Sequence, residues 1–183
     1  MTHQVGDGLG QTNGGMSYRF RIRETVPAGI KRIALEQIDQ ALAQLTDPGD
    51  DPDRAVHNAR TCFKRLRAIL RLVRNEIGTE LYKRENALYR DAGRRLSAVW
   101  HSAVNLRTLD ELVVQCDDRS ILDAAAGTRE WLAREHRTTV RELLDSQLIA
   151  EVATILWEGR AHVDTWRIEH DGFSALMGGL WRA

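Results

Sequence analysis

Apolar residues recur along this chain at intervals of three and four, the repeat of an α-helix seen from one side. Ile30, Ile33, Ala34, Ile38, Ala41, Leu42 and Leu45 form the first such face, and Pro27 suits the first turn of its helix. That helix is predicted from Pro27 to about Leu45. Asp47-Pro-Gly-Asp-Asp-Pro then reads as a turn leading into an acidic helix start. Val56, Ala59, Phe63, Leu66, Leu70 and Val73 step by 3, 4, 3, 4, 3, the buried seam of a second helix from about Pro52 to Asn75 that Gly78 ends. A third pattern runs from Glu80 to Ser102 and on to Val114, with Leu81, Leu88, Leu96, Val99, Ala103, Leu106, Leu109 and Val113 on its apolar side. Cys116-Asp-Asp-Arg breaks it. Ile121 to Ala126 starts a helix that Gly127 interrupts or bends. Glu130 to Leu144 and Leu148 to about Glu158 read as two more, separated at Ser146. Tyr18 to Arg23 alternates and suits a short extended segment, and nothing later reads as a strand. The predicted fold is all-α, an antiparallel up-down bundle of the four-helix type.

Three segments follow from these patterns. Residues 1–17 are rich in Gly, Thr, Asn and Gln without periodicity, as a flexible tail would be. Residues 18–160 hold the bundle, and 161–183 are a linker or the opening of a second bundle. Hydrophobic residues make up 43% of the chain, enough for a core and too many for disorder by composition. No apolar run reaches the 18 residues of a membrane span, and the N-terminus lacks the charged start and apolar stretch of a secretory signal. Cys62 and Cys116 are too few for a disulfide framework or a zinc cluster. The expected location is the cytoplasm, with no membrane partner.

Charge changes the picture. The chain has 26 Lys+Arg against 26 Asp+Glu, yet Arg54, Arg60, Lys64, Arg65, Arg67, Arg71 and Arg74 fall on one helix with no acid among them. His57, Arg60, Lys64, Arg67, Arg71 and Arg74 step by 3, 4, 3, 4, 3, which makes one stripe roughly 25 Å long at about 1.5 Å per residue. Each of the six follows a seam residue by one position, so the cations flank the core and border a groove. Like charges at i,i+4 repel, and a solvated helix normally mixes Glu with Lys to avoid this. Arginine's planar fork holds phosphate oxygens in pairs and keeps its charge. The pattern points to a partner that is itself a row of anions. Lys83, Arg90 and Arg94, with His101 two turns on, are weaker candidates on the next helix. Arg134, Arg137 and Arg141 form another short row, and both rows are interleaved with acids.

Catalytic chemistry has little to stand on. His162, His170, Asp164 and Glu158 match no metal-ligand spacing, and no Gly-x-Ser-x-Gly nucleophile motif occurs. Gly6, Gly8 and Gly10 follow no strand and lack the Lys-Ser/Thr of a phosphate loop. No enzyme, metal or cofactor is expected. Nucleic-acid binding is an alternative, but it wants stacking aromatics among the cations, and the stripe offers only Phe63 of the core seam. A structural or partner-binding bundle is a second alternative, with Trp157, Trp166, Phe173 and Trp181 as its interface.

Val56-His-Asn-Ala-Arg-Thr-Cys-Phe-Lys-Arg-Leu-Arg-Ala-Ile-Leu-Arg-Leu resembles the signature helix of CHAD domains, the conserved histidine α-helical domains. His57, Arg60, Lys64, Arg65, Arg67 and Arg71 fall on the motif's positions, with Lys64 where Arg is more usual. The resemblance implies a helical domain that binds inorganic polyphosphate in a basic channel, often on polyphosphate granules. It covers roughly Tyr18 to Ala183, as the first half of a two-bundle domain plus its lead into the second. It therefore implies either a truncated chain or a homodimer that completes the channel. Where the family tends to place an Arg-Asp pair on its third helix, this chain has Trp100-His101.

Overall fold

The structure is a computed structural model that describes residues 18–145 and 147–181. Its α-helices among these residues are α1 (Val26–Thr46), α2 (Pro52–Leu72), α3 (Arg74–Ile77), α4 (Thr79–Arg95), α5 (Ser97–Val114), α6 (Arg119–Asp145), α7 (Leu148–His162) and α8 (Ser174–Leu180). A 3₁₀ turn covers Val163–Thr165. No strand occurs among the described residues, so the chain is all-α. The expectations for residues 1–17 and for Ser146 lie outside the described residues.

Local chemistry starts the first two helices. The Thr25 hydroxyl accepts the Ala28 N–H and Pro27 sits in the first turn of α1. Asp51 accepts the Arg54 N–H at 2.9 Å, with Pro52 as the first residue of α2. Polar pairs then fix an antiparallel register. Gln44 meets Asn58, while Gln37, seven residues earlier, meets Arg65, seven later. Likewise Arg60 donates to the Gly93 carbonyl and Arg67 to Asn86. Arg160 on α7 pairs with Asp39 on α1, and Arg95 on α4 with Glu151 on α7. The four helices α1, α2, α4 and α7 thus run up-down-up-down.

Their shared core holds Ile30, Ile38, Val56, Leu66, Leu70, Tyr89, Val152 and Leu156, all at most 2% exposed. Burying each of the larger aliphatic side chains contributes about 1.5–3 kcal/mol. The whole predicted seam of α2, from Val56 to Val73, is buried.

Four local expectations are corrected. Tyr18–Thr25 consists of bends and a turn, with Arg23 in the left-handed region at φ 66° and the Arg21 N–H donated to Glu24. It is not an extended segment. The basic helix stops at Leu72, where fully buried Val73 leaves helical geometry and a single turn, α3, follows. Gly78 at φ 82° then makes a reversal that a residue with a Cβ rarely adopts. In α6 Gly127 interrupts nothing: the helix runs 27 residues through it. Lastly, Trp166 is 1% exposed and belongs to the core, whereas Trp157, Phe173 and Trp181 remain exposed.

Two regions extend this bundle. Beyond the buried Leu96, where α4 bends into α5, α5 and α6 pack mainly on each other, and no described residue between Trp100 and Glu142 is buried. Residues 163–181 fold back on the bundle. Glu76 accepts the N–H groups of Glu169 and His170, and Asp171 accepts the Val26 N–H at 2.6 Å. At Gly179 a Cβ would come within 2.5 Å of the Arg71 and Leu72 carbonyls, so α8 lies against the end of α2 at a distance only glycine permits.

Candidate functional site

The α2 seam fixes where its basic stripe can go. With Phe63 and Leu66 turned into the core, Arg60, Lys64 and Arg67 fall at the border between α2 and the next helix of the bundle, α4. There they form one wall of a cavity of about 480 Å³. Arg90 and Arg94 of α4 and His101 of α5 form the opposite wall, with Phe63, Tyr89, Gly93 and Ser97 between. No Asp or Glu among the described residues lines it. Five permanent cations and a histidine thus face a shared space across two helices, which fixes the groups that a bound anion would meet.

The α2 side is held in place by neutral partners. Arg60 donates to the Gly93 carbonyl and lies 5.8 Å from the centre of the Trp100 ring. Burial pulls its pKa below the ordinary value, though a guanidinium stays protonated in proteins. Arg67 Nε donates to Asn86 Oδ1 at 3.0 Å. Lys64 is exposed. Among the described residues, no basic side chain from Arg54 to Arg74 makes an ion pair with Asp or Glu. Neutral hydrogen bonds orient the guanidinium groups without cancelling their charge.

The α4 side differs. Arg90 grips Asp91 through two bonds, Nε to Oδ1 at 2.9 Å and a second nitrogen to Oδ2 at 3.1 Å, and Arg94 lies 3.6 Å from the same carboxylate. The Arg90 hydrogen bonds hold the Asp91 carboxyl below its usual range and raise the Arg90 guanidinium. One carboxylate therefore stands beside the groove, shared by two cations.

The remaining sequence candidates go elsewhere. Arg65, one position off the stripe, turns towards α1: it donates to Gln37 at 3.2 Å and lies over the Tyr18 ring. Arg71 is exposed and acts electrostatically on Tyr18. Arg74 lies 4.9 Å above the Tyr82 ring. Lys83 pairs with Glu80 at 3.0 Å and does not line the groove. His57 stacks on Trp100 with ring centres 4.9 Å apart and lines an adjoining cavity. The stripe drawn as one line is thus divided among several neighbours, because α2 has different elements beside it along its length.

Sequence reasoning missed two features. The first is the groove floor around Gly93. The second is a relay in which His136 Nε2 lies 2.9 Å from Asp53 and Nδ1 lies 2.9 Å from the Ser102 hydroxyl. Asp53 and His136 are far apart in sequence, and no local spacing could have joined them. The Ser102 hydroxyl is also within 2.9 Å of the Val99 carbonyl, so the relay ties α5 and α6 to the start of α2. Cys62, a buried residue of the basic helix itself, has its thiol pushed up to about 11 by desolvation, which keeps it protonated at neutral pH. No group of three or more His, Cys, Asp and Glu placed to hold a metal ion occurs among the described residues, and no helix there is long and apolar enough to cross a membrane.

A family model, the CHAD domain, matches residues 32–158, most of the chain, which therefore belongs to that family. The match spans α2, α4 and α5, and so includes both walls of the groove. No curated protein and no solved structure matches the chain.

Proposed function

We propose that this member of the CHAD domain family binds inorganic polyphosphate, without transforming it, in the groove between α2 and α4–α5. Arg60, Lys64 and Arg67 are the principal contacts, with Arg90, Arg94 and His101 facing them. The observation that carries the reading is that Arg60 and Arg67 have neutral partners and that, among the described residues, neither they nor Lys64 pair with a carboxylate, so their charge is available to a ligand. Polyphosphate suits such a groove because every unit brings a charge and none brings a base to be read. The aromatic floor supports the same choice: Tyr89 is fully buried and Phe63 nearly so, and neither offers a face on which a base could stack. On this reading the protein acts in the cytoplasm, at polyphosphate granules.

Titration calorimetry with long-chain polyphosphate at several salt concentrations tests it. The affinity should fall along a straight line of log K against log salt, as counterion release requires. Nucleic acid should displace the bound polyphosphate poorly. Absence of binding at low salt, or an affinity indifferent to salt, would sink the proposal.

A further inference from the structure

The groove does not end at Arg60. Arg60 and His57 both lie against Trp100, but Arg60 lines the main groove, whereas His57 lines a second cavity of about 390 Å³. That cavity is also lined by Arg54 of α2 and Arg107 of α5, together with two carboxylates, Asp51 and Asp53. We infer that the anion track continues past Trp100 into this second cavity, so that the protein distinguishes long linear polyphosphates from short ones. The inference rests on the reading of the main groove given above.

Three observations carry it. First, both acids already have structural work: Asp51 accepts the Arg54 N–H as the cap of α2, and Asp53 faces His136 Nε2 at 2.9 Å. Second, the side chains of Arg54 and Arg107 are exposed and make no ion pair among the described residues. Third, Arg54 stands in the first turn of its helix, where the helix dipole disfavours a cation. Asp51 and Asp53 beside it offset that cost in part, and an incoming anion would offset it further. A chain of a few phosphates fills the main groove alone. A longer one passes Trp100 and meets Arg54, His57 and Arg107.

The test compares tripolyphosphate with long-chain polyphosphate on the full chain. In the double variant Arg54→Ala/Arg107→Ala, long-chain affinity should fall about tenfold at low salt. Its salt slope should drop by about 1.4, for two lost contacts on a flexible strand. Tripolyphosphate affinity should stay within twofold. Arg107→Glu, which leaves α2 untouched, should lower long-chain affinity further than Arg107→Ala. Equal losses for the two ligands, or no loss for either, would overturn the extension while leaving the main groove intact. Failure of the wild-type chain to bind either ligand would overturn both readings.

Discussion

Arg32 on α1 and Arg67 on α2 are both partly buried arginines on bundle helices, and their surroundings are opposite. Arg32 is clamped by Glu24 through two bonds of 2.6 and 2.7 Å and by Glu36 at 2.9 Å. Arg67 meets a neutral amide, Asn86, at 3.0 Å. The same contrast separates Arg129, Arg134 and Arg160, each on a carboxylate, from Arg60 and Lys64, which have none among the described residues. Both arrangements satisfy hydrogen bonds, but only one leaves net charge. A cation count cannot distinguish a binding site from a neutralised surface. The chemistry of each cation's partner can.

The largest effect should come from deleting the free row. Arg60→Ala/Lys64→Ala/Arg67→Ala should weaken polyphosphate binding on the order of a hundredfold at low salt, for three lost charge-assisted contacts, and lower the salt slope by about two. Circular dichroism should show the helices retained. Normal retention of this variant on a polyphosphate resin would remove the groove from consideration.

A carboxylate placed where Arg67 now has an amide would make that arginine resemble Arg32. Asn86→Asp should cost about three- to tenfold in affinity, since an exposed or half-exposed pair is worth up to about 1 kcal/mol and the added charge also repels the ligand. Calorimetry beside the wild type decides this. The converse change removes the carboxylate that Arg90 and Arg94 share beside the groove. Asp91→Asn should free Arg90 and Arg94 and tighten binding about two- to fivefold, with a steeper salt slope. A loss of affinity would mean that Asp91 instead holds Arg90 in its binding pose.

The smallest effect on binding should come from the clamped side. The Arg32 side-chain hydrogen bond and the Arg21 N–H hold Glu24 well down, from 4.5 to about 2. A depressed carboxylate contributes stability above 4.5 that is lost as pH falls towards about 2. Glu24→Gln should therefore flatten that part of the profile of Tm against pH and leave polyphosphate affinity at neutral pH within twofold. An unchanged acid limb would show that the clamp contributes nothing to stability.

Much of this was legible in one dimension. The α2 seam and stripe are interleaved at helical spacing, so a single helix places one inside and the other beside it, whatever the partners are. Asp51 and Pro52 announce the start of α2, and Gly78 the reversal after it. The unbroken α6 was not legible, because a glycine reads as a break, yet at about 1 kcal/mol it costs too little to end a helix that Ala124, Ala125, Ala126, Arg129 and Glu130 favour on either side. Nor was the burial of Trp166, since an isolated aromatic in a glycine-bearing segment carries no period.

What the sequence determined by itself is the helical content, the apolar seams and the segregation of positive charge onto α2. These depend on spacing along one chain. Only the tertiary structure decided which cations share a groove, that Arg65 faces α1 while Arg90 and Arg94 face α2, and that Arg67 meets Asn86 instead of an acid. Those outcomes depend on the register between helices, which dozens of distant contacts set together. The charge left over for a ligand is a property of that register.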